Sequence, residues 1–309
     1  MSAADSPFTS NQDAANQNAY SDPAVVGCYA GAGARLFTSE KIILARIAND
    51  VRGRRILDLG VGGGRTTPHL LELTTDYLGV DYSPELIAAC QAKFPGVPFQ
   101  QGDARALEVF GEGRFDLVFF SFNGIDHVSH AERQQILAQV SHVLKPGGLL
   151  WFSSHNRRVR PPKPWHPAAY SWGKNPQTIL RNLYEAAVGT RNYLARAASQ
   201  TDEPGRAILV DSAHRFQLVL YFVDPAEQVR QLAAQGFADI RVLDHWGEER
   251  ASEALEINRS AHVHYLARKP QISAERATAG SAEAATAPRG KGASACAERA
   301  PSPTPPATP

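Results

Sequence analysis

Ile56-Leu57-Asp58-Leu59-Gly60-Val61-Gly62-Gly63-Gly64-Arg65 is the stretch on which the reading of this chain turns. A short apolar run leads into Gly60, Gly62, Gly63 and Gly64, so a strand ends where the chain must turn sharply. Residues without a Cβ permit that turn and let a ligand approach the backbone closely. A dinucleotide-binding fingerprint also opens G-x-G, but its third glycine falls at position 65, where this chain has Arg65. Asp58 lies two positions before the first glycine, where a carboxylate can orient the loop and sit near a ligand's ammonium group.

Outward from this loop, short apolar runs alternate with amphipathic stretches, the pattern of a parallel sheet covered by helices. The alternation predicts strands at about 54–59, 76–80, 97–101, 115–121, 148–154, 237–244 and 261–267. Ser83-Pro84-Glu85 reads as an N-cap followed by proline at the first helical position, opening a helix through Cys90. Pro225 opens another in the same way, and Lys145-Pro146-Gly147-Gly148 ends the helix that starts near His130. The stretch 156–224 interrupts the pattern, with one or two helices over Pro176 to Ala198 and a hairpin from Ala207 onward through Tyr221. It is expected to be a cap inserted between strand five and the following helix. Residues 1–23 lack apolar periodicity, and 270–309 are rich in Ala, Pro, Ser and Thr, so both are expected to be disordered around a single domain spanning 24–269.

Bulk composition excludes several classes. The 32 basic and 31 acidic residues nearly cancel, so no global field recruits nucleic acid or an anionic membrane, and any such binding must come from a local patch. Nucleic acid and membrane partners are therefore not expected. Cys28, Cys90 and Cys296 form no close pair, which fits neither a disulfide framework nor a zinc cluster, and no metal is expected. The first 23 residues carry Asp5, Asp13 and Asp22 but no Lys, Arg or apolar run, against a signal peptide, and a cytoplasmic location is expected. Apolar runs such as Leu117 to Phe122 are too short to span a bilayer.

Two further acidic residues follow the next strands. Asp81 ends the second, just before the Ser83 cap, where its oxygens can accept both hydroxyls of a ribose. Asp103, in Gly102-Asp103-Ala104, ends the third, where a carboxylate can take the exocyclic amine of an adenine. Together with the 58–64 loop, Gly79-Val80-Asp81-Tyr82, Phe115-Asp116-Leu117-Val118 and Val143-Leu144-Lys145-Pro146-Gly147-Gly148, these motifs resemble the class I S-adenosylmethionine-dependent methyltransferases over about 30–268. The segments 120–126 and 152–156 resemble a bacterial small-molecule subgroup. The resemblance implies a Rossmann-like α/β fold with a seven-stranded sheet whose last strand is antiparallel, and S-adenosylmethionine as cofactor. It carries cofactor contacts to Asp58, Gly60, Gly62, Asp81, Tyr82, Asp103, Ala104 and Ser121. Arg35 or Tyr29, upstream of strand one, could meet the methionine carboxylate.

Methyl transfer is an in-line displacement, so positioning dominates and a base is needed only for a protonated acceptor. In an open α/β sheet, ligands bind beyond the carboxyl ends of the strands. That points to Asn123, Asp126 and His155 as catalytic candidates, with Ser121 and Asn156 shaping the acceptor site. His127 fits a helix-start or surface histidine better than a base, and Asp211 and His214 fit a solvent-facing hairpin tip. Tyr221 fits the core as well as the site. The expected reaction is methylation of an O or N atom of a small-molecule acceptor. RNA modification, with Arg157, Arg158, Arg160 and Lys163 as its footprint, and a cofactor-binding module without catalysis are the other readings. The sequence leaves the oligomeric state open.

Overall fold

Alternate residues of the central strands enter two different apolar layers, and this period of two sets the architecture. Ile56, Leu117, Phe119, Leu149 and Trp151 pack on one side, while Leu57, Leu59, Val118, Phe120, Leu150 and Phe152 pack on the other. Both faces are apolar because both are covered by helices, as parallel sheets require. The computed structural model describes Asn16 and residues 23–31, 33–171, 175–254 and 257–271. The expected N-terminal arm, except Asn16 and Pro23, and the expected tail beyond Gln271 lie outside the described residues.

The strands are β1 Ile56–Leu59, β2 Tyr77–Asp81, β3 Phe99–Gln101, β4 Phe115–Phe120, β5 Leu144–Asn156, β6 Thr201–Glu203, β7 Arg206–Val210, β8 Val219–Val223, β9 Ala238–Leu243 and β10 His262–Arg268. The helices are α1 Pro23–Ala30, α2 Thr38–Val51, α3 Thr67–Leu71, α4 Pro84–Lys93, α5 His130–Val143, α6 Pro176–Arg196 and α7 Pro225–Ala234. Strand neighbours run β3-β2-β1-β4-β5, and β10 then pairs antiparallel with both β5 and β9. The chain steps outward from β1 to β3 and returns on the other side at β4. The carboxyl ends of β1 and β4 therefore form the switch point where such sheets open a crevice.

The expected seven-strand path is present within a sheet of ten strands. The additional three come from the segment between β5 and α7. β5 runs on beyond the end of β4, and its last residues pair in parallel with β8, His155 with Phe222 and Asn156 with Val223. β7 and β8 form the expected antiparallel hairpin, and β6 adds to its outer edge. α6 is one continuous helix with Asn175 as its N-cap, its Oδ1 accepting from the Gln177 N–H at 2.9 Å.

Local signals place the other helices. The Ser83 hydroxyl accepts from the Leu86 N–H and Pro84 follows it, starting α4. Ser129 and Glu132 form a reciprocal capping box at the start of α5, with the Ser129 N–H on Glu132 Oε2 at 2.8 Å. These caps fix where α4 and α5 leave the sheet, directly beside the crevice.

Candidate active site

The crevice holds a cavity of about 480 Å³ at the carboxyl ends of β1 to β4, a size suited to a nucleotide-like ligand. Gly60, Gly62, Asp81, Tyr82, Asp103, Ala104 and Ser121 all line it. Gly60 and Gly62 have φ of +60° and +57°, a left-handed backbone that side chains rarely adopt. The turn is also tightly covered, since a Cβ on Gly63 would stand 2.0 Å from the Tyr29 carbonyl oxygen of α1.

Asp81 organises the loop. Its Oδ2 accepts from the Gly62 N–H at 2.8 Å and its Oδ1 from the Ser83 N–H at 3.0 Å. Burial raises its pKa above the ordinary carboxylate value, against the lowering effect of the backbone bonds from Ser83 and Gly62. Each carboxylate oxygen has two acceptor sites, so capacity remains on the cavity side. Asp103 is held by Arg105, whose Nε lies 3.0 Å from both carboxylate oxygens and whose Nη2 lies 2.6 Å from Oδ2. Arg105 is itself buried and also donates to Glu132 Oε1 at 2.8 Å, which ties β3 to α5. Sequence reading missed Arg105, although its place two residues after Asp103 was the available signal.

Asp58 lies beneath the cavity wall, not on it. It is fully buried, and its Oδ2 accepts from the Thr66 and Tyr77 hydroxyls, each at 2.9 Å. Burial pushes its pKa up to about 7. Geometry thus gives it the loop-orienting half of its expected role and places it away from a ligand. Arg65, the residue standing where a dinucleotide loop would have glycine, lines the cavity and pairs with both oxygens of Glu40 at 2.6 and 2.8 Å. Its guanidinium stacks 4.8 Å over Phe37, which in turn stacks on Phe122 with centroids 5.5 Å apart.

The catalytic candidates Asn123, Asp126 and His155 do not reach the cavity wall. Asp126 is fully buried, with Oδ1 at 2.5 Å from Arg133 Nη1 and 2.7 Å from the Ser154 hydroxyl. Its Oδ2 accepts from both the backbone N–H and the ring Nδ1 of His155, each at 2.7 Å. Burial alone would raise the Asp126 pKa, but the Arg133 charge and the His155 bonds more than offset it and hold it below the ordinary value. Arg133 also donates to Gln228 Oε1 at 2.6 Å and to the Ser154 hydroxyl at 3.0 Å. Asn123 turns to His262, with its amide 2.6 Å from the ring Nδ1. This network pins the segment 121–127 to β5, α5 and α7 from behind.

The residues on either side of those candidates face the cavity instead. Phe122, Gly124 and His127 line it, as do Ala213 and His214 from the inserted segment. His127 therefore sits on the wall, not at a helix start, and His214 faces the cavity rather than an exposed hairpin tip. His127 Nδ1 lies 3.1 Å from the Gly124 carbonyl, which can only accept, so Nδ1 carries the proton and Nε2 is the basic atom. Burial pushes the His127 pKa below its ordinary 6.5. Both segments are held in left-handed backbone, with φ of +51° and +58° at Phe122 and Asn123 and of +47° to +62° across His214 to Phe216. Backbone of this kind persists where the surroundings fix it, and it clusters at ligand sites. Tyr221 is a core residue, its hydroxyl bonded to His130 and Gln231.

The chain is similar to several known proteins. A methyltransferase domain family matches residues 56–148. An uncharacterised methyltransferase of Synechocystis is 38% identical over 157 residues, covering 51% of this chain and 68% of that protein. The demethylmenaquinone methyltransferase of Beutenbergia cavernae is 33% identical over 134 residues, and the ubiquinone biosynthesis O-methyltransferase of Methylococcus capsulatus 32% over 112. These matches cover 43% and 35% of this chain and span about half of each relative, 52% and 46%. A solved S-adenosylmethionine-dependent methyltransferase of Mesorhizobium loti aligns at 23% identity and TM-score 0.48, covering 74% of this chain and 97% of that one. The chain belongs to the methyltransferase family, and S-adenosylmethionine is its cofactor. The lining residues fit that group: two carboxylates at successive strand ends suit ribose hydroxyls and an adenine amine, and the glycine turn admits close approach. Replacing Asp81 with Ala is expected to weaken cofactor binding by about 1–3 kcal/mol through lost hydrogen bonds to a charged group. Titration calorimetry reads this, and an unchanged affinity would remove Asp81 from the site.

Proposed function

We propose that this methyltransferase acts on a hydroxyl oxygen of a small aromatic acceptor and that His127 takes the proton. The observation carrying the proposal is His127 on the cavity wall, with its proton fixed on Nδ1 by the Gly124 carbonyl and its pKa lowered by burial. A ring in that state is neutral at physiological pH, with Nε2 as its basic atom. A neutral amine brings its own lone pair to a methyl group, whereas a hydroxyl becomes a good nucleophile only as its proton leaves. A placed base therefore favours oxygen. The stacked Phe37 and Phe122 rings, with Tyr29 nearby on the wall, favour a planar ring as the acceptor body. Two relatives are named a demethylmenaquinone methyltransferase and a ubiquinone biosynthesis O-methyltransferase, which supports a small-molecule acceptor.

S-adenosylmethionine, when bound, supplies a methyl group made electrophilic by the sulfonium sulfur. Asp81 and Asp103 would hold its ribose and adenine, and the Gly60 to Gly63 turn would follow its backbone-facing edge. The aromatic pair orients the acceptor ring, and His127 Nε2 receives the hydroxyl proton as the oxygen attacks. His214, from the inserted segment, lines the cavity beside Tyr29, with ring centroids 6.0 Å apart, and helps to exclude water. The Asp126 and Arg133 network acts indirectly by keeping segment 121–127 in its left-handed path.

RNA as acceptor gains no support from the basic run. Arg157 and Arg160 both pair with Asp202, Arg158 donates to Asn258 Oδ1 at 2.5 Å, and Lys163 meets the Tyr193 hydroxyl. Arg157, Arg160 and Lys163 staple the inserted segment together, and Arg158 ties it to the segment before β10. The proposal is tested by the pH dependence of kcat/KM. A single acid limb is expected, with activity rising as His127 loses its proton and levelling above a midpoint lower than 6.5. A profile flat through that range would rule out His127 as the base.

A further inference from the structure

α6 carries one of the largest unpartnered apolar surfaces among the described residues. Its inner face is set by Asn182, Gly189 and Tyr193, which are buried. Gly189 packs so closely on Phe216 that a Cβ there would lie 2.8 Å from the ring, and Asn192 donates to the Arg215 carbonyl at 2.9 Å. The inner face thus backs the turn that brings His214 to the cavity. The opposite face follows helical spacing through Leu180, Leu183, Tyr184, Ala187, Arg191 and Leu194. Leu180 is 68% exposed, Leu183 55%, Tyr184 59% and Leu194 63%. Trp165, 61% exposed, packs edge-on against Tyr193 with centroids 5.5 Å apart, on the inner side of the helix and apart from this stripe.

The charges on this helix decide what covers the apolar stripe. Its one acidic residue, Glu185, is already taken by Arg215 at 2.6 and 2.9 Å. Arg191 lies within the stripe and Arg181 at its edge, both exposed and without an ion-pair partner among the described residues. In a two-fold pairing of identical chains helix to helix through this face, Arg191 would be buried with no free carboxylate on the facing helix, a costly arrangement. An anionic lipid surface supplies the missing countercharge at headgroup depth while Leu180, Leu183 and Leu194 enter the acyl boundary. We infer that the outer face of α6 docks this enzyme onto anionic membrane surfaces. The near-neutral charge of the whole chain gives no such attraction, so α6 is the local patch that binding needs. The inference does not depend on the acceptor proposed above. Its geometric consequence is that the element bound to the membrane is the one that backs the cavity wall, within reach of an acceptor dissolved in lipid.

Sedimentation of the full chain with phosphatidylcholine vesicles, with and without phosphatidylglycerol, tests this. Binding is expected only to the anionic vesicles and is expected to fall with added salt. Leu180→Glu with Leu183→Glu should abolish it. Arg181→Gln with Arg191→Gln should weaken it roughly thirtyfold, each surface charge contributing about a fivefold change. Circular dichroism and cofactor affinity, unchanged in both variants, would show that the fold is intact. No binding to anionic vesicles, binding indifferent to either pair of substitutions, or a stable dimer in solution that the leucine substitutions dissociate would each overturn the inference.

Discussion

Replacing His127 with Gln is expected to lower kcat by roughly a hundredfold to ten-thousandfold, the usual contribution of a placed general base. Glutamine keeps a polar side chain of similar reach but cannot accept a proton at physiological pH. Cofactor affinity should change by less than about twofold, because the charged hydrogen bonds assigned to the cofactor come from Asp81 and Asp103 and not from His127. The variant should also lose the acid limb of the pH profile, leaving residual activity independent of His127 protonation. This combination separates a base from a residue that merely shapes the wall: a shaping residue would raise KM and leave the profile in place. A variant as active as the parent enzyme would transfer the proton to solvent and leave the aromatic wall as the chief catalytic device.

Replacing Arg133 with Met is expected to destabilise the fold by about 3–5 kcal/mol, because Asp126 would remain buried with its charge uncompensated. Arg133 and Asp126 are both fully buried, and Arg133 holds four separate acceptors: Asp126, the Ile125 carbonyl, Ser154 and Gln228. The pH dependence has a definite sign. The folded-state pKa of Asp126 lies below the ordinary 3.8, so its contribution is fully present above that value and is lost as pH falls through the folded pKa. Without Arg133 the strongest influence lowering the Asp126 pKa is gone while burial still raises it, so the variant's loss of stability is smaller at acid pH than at neutral pH. Urea unfolding at neutral and acid pH measures both effects. Equal losses at the two pH values would place the cost in packing against Tyr221 and Phe152 instead of in charge.

Much of the fold could be read from the sequence because its signals are local. Proline at the first position of α4 and α7, the Ser83 cap, and the glycine turn after β1 depend on neighbouring residues alone, and α4, α7 and β1 stand within two or three residues of their expected bounds, whereas β5 begins at Leu144, four residues before its expected start. The three added strands were less legible. The pairing of β8 with His155 and Asn156 is a contact between distant segments, and nothing in either segment alone specifies the partner. The cofactor residues could be read for the same reason as the strands, since Asp81 and Asp103 follow directly from strand ends.

The acceptor side was harder. Asn123, Asp126 and His155 stood out as polar residues at strand ends, but the left-handed backbone at Phe122 and Asn123 rotates that segment. It turns Asp126 inward to Arg133 and brings His127 to the cavity. A rotation of this kind is set by the buried arginine, seven positions along the chain, and residue type alone does not show it. His214 escaped for a similar reason, because its three-residue left-handed turn folds against α6.

In the proposed reaction a methyl group passes to an aromatic hydroxyl within this cavity, with His127 taking the proton. The direct measurement is incubation with methyl-labelled S-adenosylmethionine and a set of catechols and hydroquinones, with total RNA and aromatic amines in parallel, followed by mass spectrometry of the products. Label on a ring hydroxyl oxygen, lost in the His127→Gln enzyme, is the predicted result. Label on RNA or on an amine nitrogen, or equal hydroxyl labelling by the two enzymes, would contradict it.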